Sequence, residues 1–164
     1  MRRTLFADEH DAYRESFRRF LAQEVVPHHT EWERAGIVPR EVYAKAAEHG
    51  FVAMAVPESH GGAGVEDFRF NAIVGEEAAL AQVGGFGLGL TLNNDVCLPY
   101  LLRYATAEQQ QRWLPAVARG ETILAIAMTE PGTGSDLASI ATTAVRRGDR
   151  YLLNGSKTFI TNGI

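Results

Sequence analysis

Cysteine is almost missing from this 164-residue chain, where Cys97 stands alone. No disulfide can form within the chain. The expected role of Cys97 is that of a small buried apolar residue in a reducing compartment, because no recognisable His partner would make it a nucleophile. Long apolar runs are missing as well: nothing approaches eighteen consecutive apolar residues, so no membrane-spanning helix is expected. Arg2 and Arg3 are followed by Asp8, Glu9 and Asp11 with no hydrophobic region between. That pattern is not an export signal, and a cytoplasmic location is expected. The net charge of −4, with no basic stripe interleaved with aromatics, argues against a nucleic-acid partner. No metal-ligand spacing is visible either. His28 and His29 are adjacent, point about 100° apart on a helix, and are expected at the surface.

What is present is a globular composition, 46% apolar with both charge signs, sufficient for a real core. Asp8 is expected to cap a helix with Tyr13, Phe17, Phe20, Leu21 and Val25 on one face and Arg14, Arg18 and Arg19 on the other, disturbed or ended at Pro27. Pro39 opens a second helix with Val42, Ala46 and Ala47 as its stripe, and Gly50 is placed to cap it. Residues 51–65 read as a loop whose Phe51, Val52, Met54 and Val56 turn inward. A third helix is expected from about Glu66 to Gln82, burying Phe70, Ile73, Val74, Ala78 and Leu80. Its Glu76 and Glu77 read as a solvated face, because neighbouring carboxylates point in different directions.

The apolar run Gly84-Gly-Phe-Gly-Leu-Gly89 admits two readings, close helix packing or a cavity for an apolar ligand, with packing preferred. It leads into a weakly helical stretch through Leu90, Val96, Leu98, Leu101 and Leu102. Thr106-Ala-Glu-Gln109 is a capping box for a helix that turns Trp113, Leu114 and Val117 inward, with Pro115 distorting it. From Thr122 the hydrophobic period changes from about 3.6 to about 2. The expected class is therefore α+β: an all-α helical domain over 1–121, then the opening of an antiparallel β-domain over 122–164.

The chemistry concentrates in that second part. Ile123 to Met128 reads as a buried strand that breaks at Pro131. Gly132 and Gly134 allow positive φ and close backbone approach, so N–H groups can converge on an anion, with the hydroxyls of Thr129, Thr133 and Ser135 as further donors. Gly132-Thr-Gly134-Ser-Asp-Leu137 lacks the third small residue of a dinucleotide fingerprint, and no helix is expected to open after it. Leu137 to Val145 reads as strand, with Arg147-Gly148-Asp149 and Asn154-Gly155 as hairpin turns. A phosphate-binding turn in an antiparallel sheet ranks above a Rossmann unit or Walker loop; an ordinary Pro-Gly turn between strands stands beside it.

Met128-Thr-Glu-Pro-Gly-Thr-Gly-Ser-Asp136, Leu153-Asn-Gly-Ser-Lys-Thr-Phe-Ile-Thr-Asn-Gly163 and the spacing between them resemble the acyl-CoA dehydrogenase family. Glu24-Val-Val-Pro-His-His-Thr-Glu-Trp-Glu33 and Ala125-Ile-Ala-Met128 are similar to its long-chain members. The resemblance implies FAD, with Ile126, Ala127, Met128, Thr129, Glu130, Pro131, Gly132, Thr133, Gly134 and Ser135 wrapping the flavin and its pyrophosphate. It implies that Thr129 bonds the polar edge of the ring, that Ser135 also reaches the bound acyl-CoA, and that Phe159, Ile160 and Thr161 belong to the flavin wall. Strand alternation would put Phe159 and Thr161 on one side and Ile160 on the other.

The implied reaction is α,β-dehydrogenation of a fatty acyl-CoA to the trans-2-enoyl-CoA, with electrons leaving to an electron-transfer flavoprotein. The family's base is a Glu of a C-terminal helical domain beyond Ile164, so no catalytic residue is expected in this chain. Glu130 is expected to serve the loop scaffold. The full-length form is expected to be a homodimer or homotetramer, and the isolated chain to be inactive. An acyl-CoA oxidase or flavin monooxygenase on the same scaffold, and a truncated non-catalytic binding or assembly fragment, are the alternatives.

Overall fold

The computed structural model describes residues 4–163, so Arg2 and Arg3 lie outside the described residues. The fold is α+β, and the chain divides into two compact units between Leu124 and Ala125.

The first unit is helical. Helix α1 spans Asp8–Phe20, with Asp8, Glu9 and Asp11 in its first turn and Arg18 and Arg19 in its last, complementing the helix dipole. Its N-cap is Ala7 rather than Asp8, and the Ala7 N–H donates to His10 Nδ1 at 3.2 Å. Pro27 does not end the helix. A π turn over Leu21–Val25 precedes α2 (Val26–Ala35), placing Pro27 in the first turn of a new α segment, where a missing N–H is tolerated. His29 is not at the surface: it is buried, packs toward Gly85, and holds Nε2 3.1 Å from the Glu33 carboxylate.

Helix α3 (Arg40–Glu48) takes Pro39 as N-cap and buries Val42, Tyr43 and Ala46, and Gly50 just beyond it adopts φ +75°. The following loop turns Phe51, Val52, Met54 and Val56 into the core as its pattern implies. Helix α4 (Phe68–Leu80) is capped by Asp67, whose carboxylate accepts the Arg69 N–H at 3.0 Å. Ile73, Val74 and Ala78 are buried, but Leu80, at the helix end, is 72% exposed on an open groove shared with Leu21 and Val26.

Glu77 overturns the solvated-face expectation, being 3% exposed. Arg18 Nε donates to it at 2.6 Å and Arg14 Nη1 donates to it as well, so the basic face of α1 reaches across to neutralise α4. Burial pushes the Glu77 carboxyl up, but the Arg18 and Arg14 guanidiniums outweigh it and hold it below the ordinary value.

The glycine run is a helix, α5 (Gly84–Thr91). A Cβ on Gly87 would lie 2.7 Å from the Ala78 Cβ, so the missing side chain is what lets α5 approach α4. A second π turn, Leu92–Cys97, leads into α6 (Leu98–Tyr104). In α7 (Ala107–Ala118) the capping box forms as expected, with the Gln109 N–H to Thr106 Oγ1 at 3.2 Å and the Thr106 N–H to Gln109 Oε1 at 2.9 Å. Leu114 and Val117 are buried, whereas Trp113, expected to face inward, is 37% exposed. Phe17, Phe20, Phe51 and Phe86 form the aromatic centre, Phe17 meeting Phe51 edge-on at 4.8 Å. Among the described residues no helix is long and apolar enough to cross a membrane.

Among the described residues the second unit carries one antiparallel hairpin, β1 (Thr143–Arg147) and β2 (Arg150–Asn154), with Val145 opposite Leu152 and Gly148-Asp149 as its turn. Three expectations fail here. Residues 123–128 are not a buried strand, because no partner strand pairs with them among the described residues and Ala125, Ala127 and Met128 are exposed. Leu137–Ser139 forms a 3₁₀ turn ahead of β1. Asn154-Gly155 ends β2 without reversing into a further strand.

Candidate functional site

The second unit is organised around Glu130. Its backbone exchanges two hydrogen bonds with Thr133, N–H to O at 2.9 and 3.1 Å, which closes the Pro131-Gly132 turn. Its side chain turns back into the unit and is 7% exposed. Glu130 Oε2 accepts the Ala141 N–H at 2.8 Å, and Oε1 accepts the Thr142 N–H and the Lys157 ammonium, both at 2.9 Å. The Thr142 side chain beside it, the Ala141 N–H and Lys157 hold this carboxyl down to about 2. A carboxylate so stabilised is a poor proton acceptor near neutral pH. Glu130 is a strut that ties the turn to Ala141, Thr142 and Lys157.

Lys157 also donates to the Met128 carbonyl at 3.0 Å, and the Thr158 N–H donates to the Thr129 carbonyl at 3.0 Å. The two polar stretches, nearly thirty residues apart in sequence, therefore meet along 128–130 and 157–158. Lys157, Ala141 and Thr142 were not singled out from the sequence. The available signal was a lone lysine, Lys157, inside the second motif, with the carboxylates of Glu130 and Asp136 inside the first.

The glycine turn differs from expectation in its backbone. Neither Gly132 nor Gly134 takes positive φ, and a Cβ built on either would meet nothing within 4 Å. Their missing side chains serve neither a left-handed turn nor internal packing; they leave bare peptide facing outward. The Thr133 hydroxyl is directed to the Asp136 carbonyl at 2.6 Å, so it closes the turn instead of standing as a free donor. Ser135 is exposed, and its carbonyl accepts the Leu137 N–H at 3.1 Å. Of the apolar approach, Ile126 is half-buried.

Phe159, Ile160 and Thr161 do not lie on a strand. Phe159 adopts φ +54° and Asn162 φ +61°, so the period-2 alternation expected there is broken by two left-handed residues. The ring of Phe159 is nonetheless presented outward, 92% exposed, while Ile160 and Thr161 are half-buried. Phe159 is thus a large aromatic held at positive φ with almost no contact of its own.

Residues 7–121 match the family model described as the acyl-CoA dehydrogenase N-terminal domain, and residues 125–164 match that of the acyl-CoA dehydrogenase middle domain. The long-chain specific acyl-CoA dehydrogenase of Mus musculus mitochondria is 48% identical over 161 residues, covering 98% of this chain and 37% of its own length. An acyl-CoA dehydrogenase from Geobacillus kaustophilus superposes with a TM-score of 0.91 at 50% identity, over 98% of this chain and 42% of that one. An acyl-CoA dehydrogenase of Bacillus anthracis solved in complex with FAD does so with a TM-score of 0.85 at 30% identity, over 99% of this chain and 28% of that one. The chain thus spans less than half the length of the relatives it matches. With both domain models matched in succession along its length, the chain belongs to the acyl-CoA dehydrogenase family.

Proposed function

We propose that this chain is the amino-terminal portion of an FAD-dependent dehydrogenase that converts a long-chain fatty acyl-CoA to the trans-2-enoyl-CoA. The observation that carries the reading is the junction of the two polar stretches through Thr129 with Thr158 and Glu130 with Lys157.

The residues present suit FAD. Bare peptide at Gly132 and Gly134 would be filled by any side chain, and lets a pyrophosphate approach backbone N–H groups directly. The exposed Phe159 ring supplies an apolar face for the isoalloxazine, and the Thr129 and Thr161 hydroxyls lie on the two stretches that would flank its polar edge. Ile126, Ala127, Met128, Glu130, Pro131, Thr133 and Ile160 complete that wall, with Ser135 extending toward the acyl-CoA. Bound there, FAD supplies the hydride acceptor for the β-hydrogen of the substrate. What this chain contributes is position and exclusion of water. The α-proton requires a base, and Glu130, held at about 2, is unsuited to that role. The base is assigned to a Glu outside this chain, in a C-terminal helical domain. Electrons then pass to an electron-transfer flavoprotein, and the complete enzyme assembles as a homodimer or homotetramer.

The test has two arms. The full-length enzyme is expected to show a flavin absorbance spectrum and to form enoyl-CoA from long-chain acyl-CoA. The purified 164-residue chain, given an artificial electron acceptor, is expected to form none. Enoyl-CoA from the isolated chain, or a colourless full-length protein, overturns the reading.

A further inference from the structure

The π turn Leu92–Cys97 interrupts an otherwise α-helical run and brings two consecutive asparagines inside, Asn93 at 1% and Asn94 at 4% exposed. On a regular helix neighbours point about 100° apart, so one of the two would normally face out. Burying both carboxamides is costly unless each finds partners. Both do. Asn94 Oδ1 accepts the Ala53 N–H at 2.7 Å and its Nδ2 donates to the Phe51 carbonyl at 2.9 Å, clamping a loop in which Ala53 sits at φ +51°. Asn93 Nδ2 donates to Asn94 Oδ1 at 3.3 Å, and Asn93 Oδ1 accepts the Leu124 N–H at 2.9 Å.

Leu124 closes the helical unit, and Ile126, two residues on, opens the stretch assigned above to the cofactor. Single π turns inside α-helices recur at functional sites. We propose that Asn93 is a positioning residue for the cofactor stretch: through the Leu124 N–H it fixes the backbone at the point from which Ile126–Ser135 departs. Asn94 anchors Asn93 in turn, so a chain of hydrogen bonds runs from the Phe51 carbonyl and the Ala53 N–H through the two carboxamides to the Leu124 N–H. The inference rests on the FAD reading.

Two variants of the full-length holoenzyme and their combination test it. Asn93→Leu keeps the volume and removes the acceptor, whereas Leu124→Pro removes the N–H and leaves the π turn untouched. Each is expected to raise the FAD dissociation constant about tenfold, the scale of freeing about one ordered residue, while the far-ultraviolet circular dichroism stays that of the parent. The double variant is expected to lose no more than Asn93→Leu alone, which deletes both the bond from the Leu124 N–H and the bond to Asn94 Oδ1, since Leu124→Pro deletes only the first of these again. Losses that multiply in the double variant, or singles that bind FAD as tightly as the parent, overturn the positioning role. If Asn93→Leu does not fold, Leu124→Pro alone decides: parental FAD affinity refutes the proposal and a tenfold loss upholds it. A parent enzyme that takes up no FAD overturns the cofactor reading beneath it, which is a different outcome from equal binding by parent and variants.

Discussion

The Thr158 N–H donates to the Thr129 carbonyl at 3.0 Å, and this bond joins the two stretches that carry the chemistry of the chain. Beside it the Lys157 ammonium bridges the Met128 carbonyl and the Glu130 carboxylate, so three successive residues of the first stretch are held by two of the second. The charged groups at this site support the architecture, and the residues offered outward are bare peptide and an aromatic ring.

The Glu130 carboxyl sets a pH dependence whose sign follows from its depressed pKa. Its folded value, about 2, lies below the ordinary 4.5, so its stabilising contribution is fully present above 4.5 and is lost as pH falls through about 2. A carboxyl-carbon NMR titration is expected to give a midpoint near 2, with the Ala141 and Thr142 amides exchanging faster over the same range. Lys157→Met is expected to move the midpoint upward. A midpoint at the ordinary glutamate value would mean the three donors do not hold this side chain in solution.

Gly87 controls how closely α5 approaches α4. Gly87→Val is expected to destabilise the helical unit by about 1–3 kcal/mol, as overpacking does, because the added Cβ lies 2.7 Å from the Ala78 Cβ. Ala78→Gly in the same chain is expected to restore part of the loss. Denaturant midpoints of the two single variants and the double variant measure this; additive losses would show that the two positions do not share the contact.

Much of the helical unit was legible because amphipathic spacing and capping chemistry are local. Thr106 and Gln109 announce α7 within four residues, and Gly50 marks the end of α3. What escaped depends on residues far away in sequence. Glu77 is buried because Arg14 and Arg18, about sixty positions earlier, reach it, and nothing within α4 signals that. Periodicity leaves open whether Pro27 disturbs or ends its helix, because a π turn cannot be anticipated from spacing, and the structure shows a disturbance. In the second unit the motifs gave the composition of the site but not its backbone. Alternation placed Phe159 and Thr161 on one strand face, whereas two left-handed residues turn that segment into a bend.

The Arg14, Arg18 and Glu77 cluster makes a sharper prediction than a surface ion pair would. Glu77→Ala leaves the Arg14 guanidinium, itself only 13% exposed, without its buried partner. A loss of about 3 kcal/mol is expected, at the lower edge of the range for broken buried pairs because Arg18 is half exposed and can rehydrate. Glu77→Gln, which keeps the shape and part of the hydrogen bonding, is expected to lose less. Equilibrium urea unfolding compares them, and equal stability of Glu77→Ala and the parent would place the carboxylate in water.

Phe159 separates stability from function. Removing a large aromatic from a core costs several kcal/mol, but Phe159 is 92% exposed and held at φ +54°, a conformation that costs a residue with a Cβ about 1–2 kcal/mol. Glycine relieves that strain and returns part of the gain as unfolded-state entropy, so Phe159→Gly is expected to leave the free chain within about 1 kcal/mol of the parent, on the stabilising side. In the full-length enzyme the same change deletes the ring proposed to lie against the flavin, and FAD affinity is expected to fall about tenfold, the scale of one aromatic contact. Thermal unfolding of the chain and FAD titration of the enzyme read the two effects independently. A Phe159→Gly variant that unfolds readily and binds FAD normally would reverse both halves, and would make this ring a structural anchor instead of a cofactor surface.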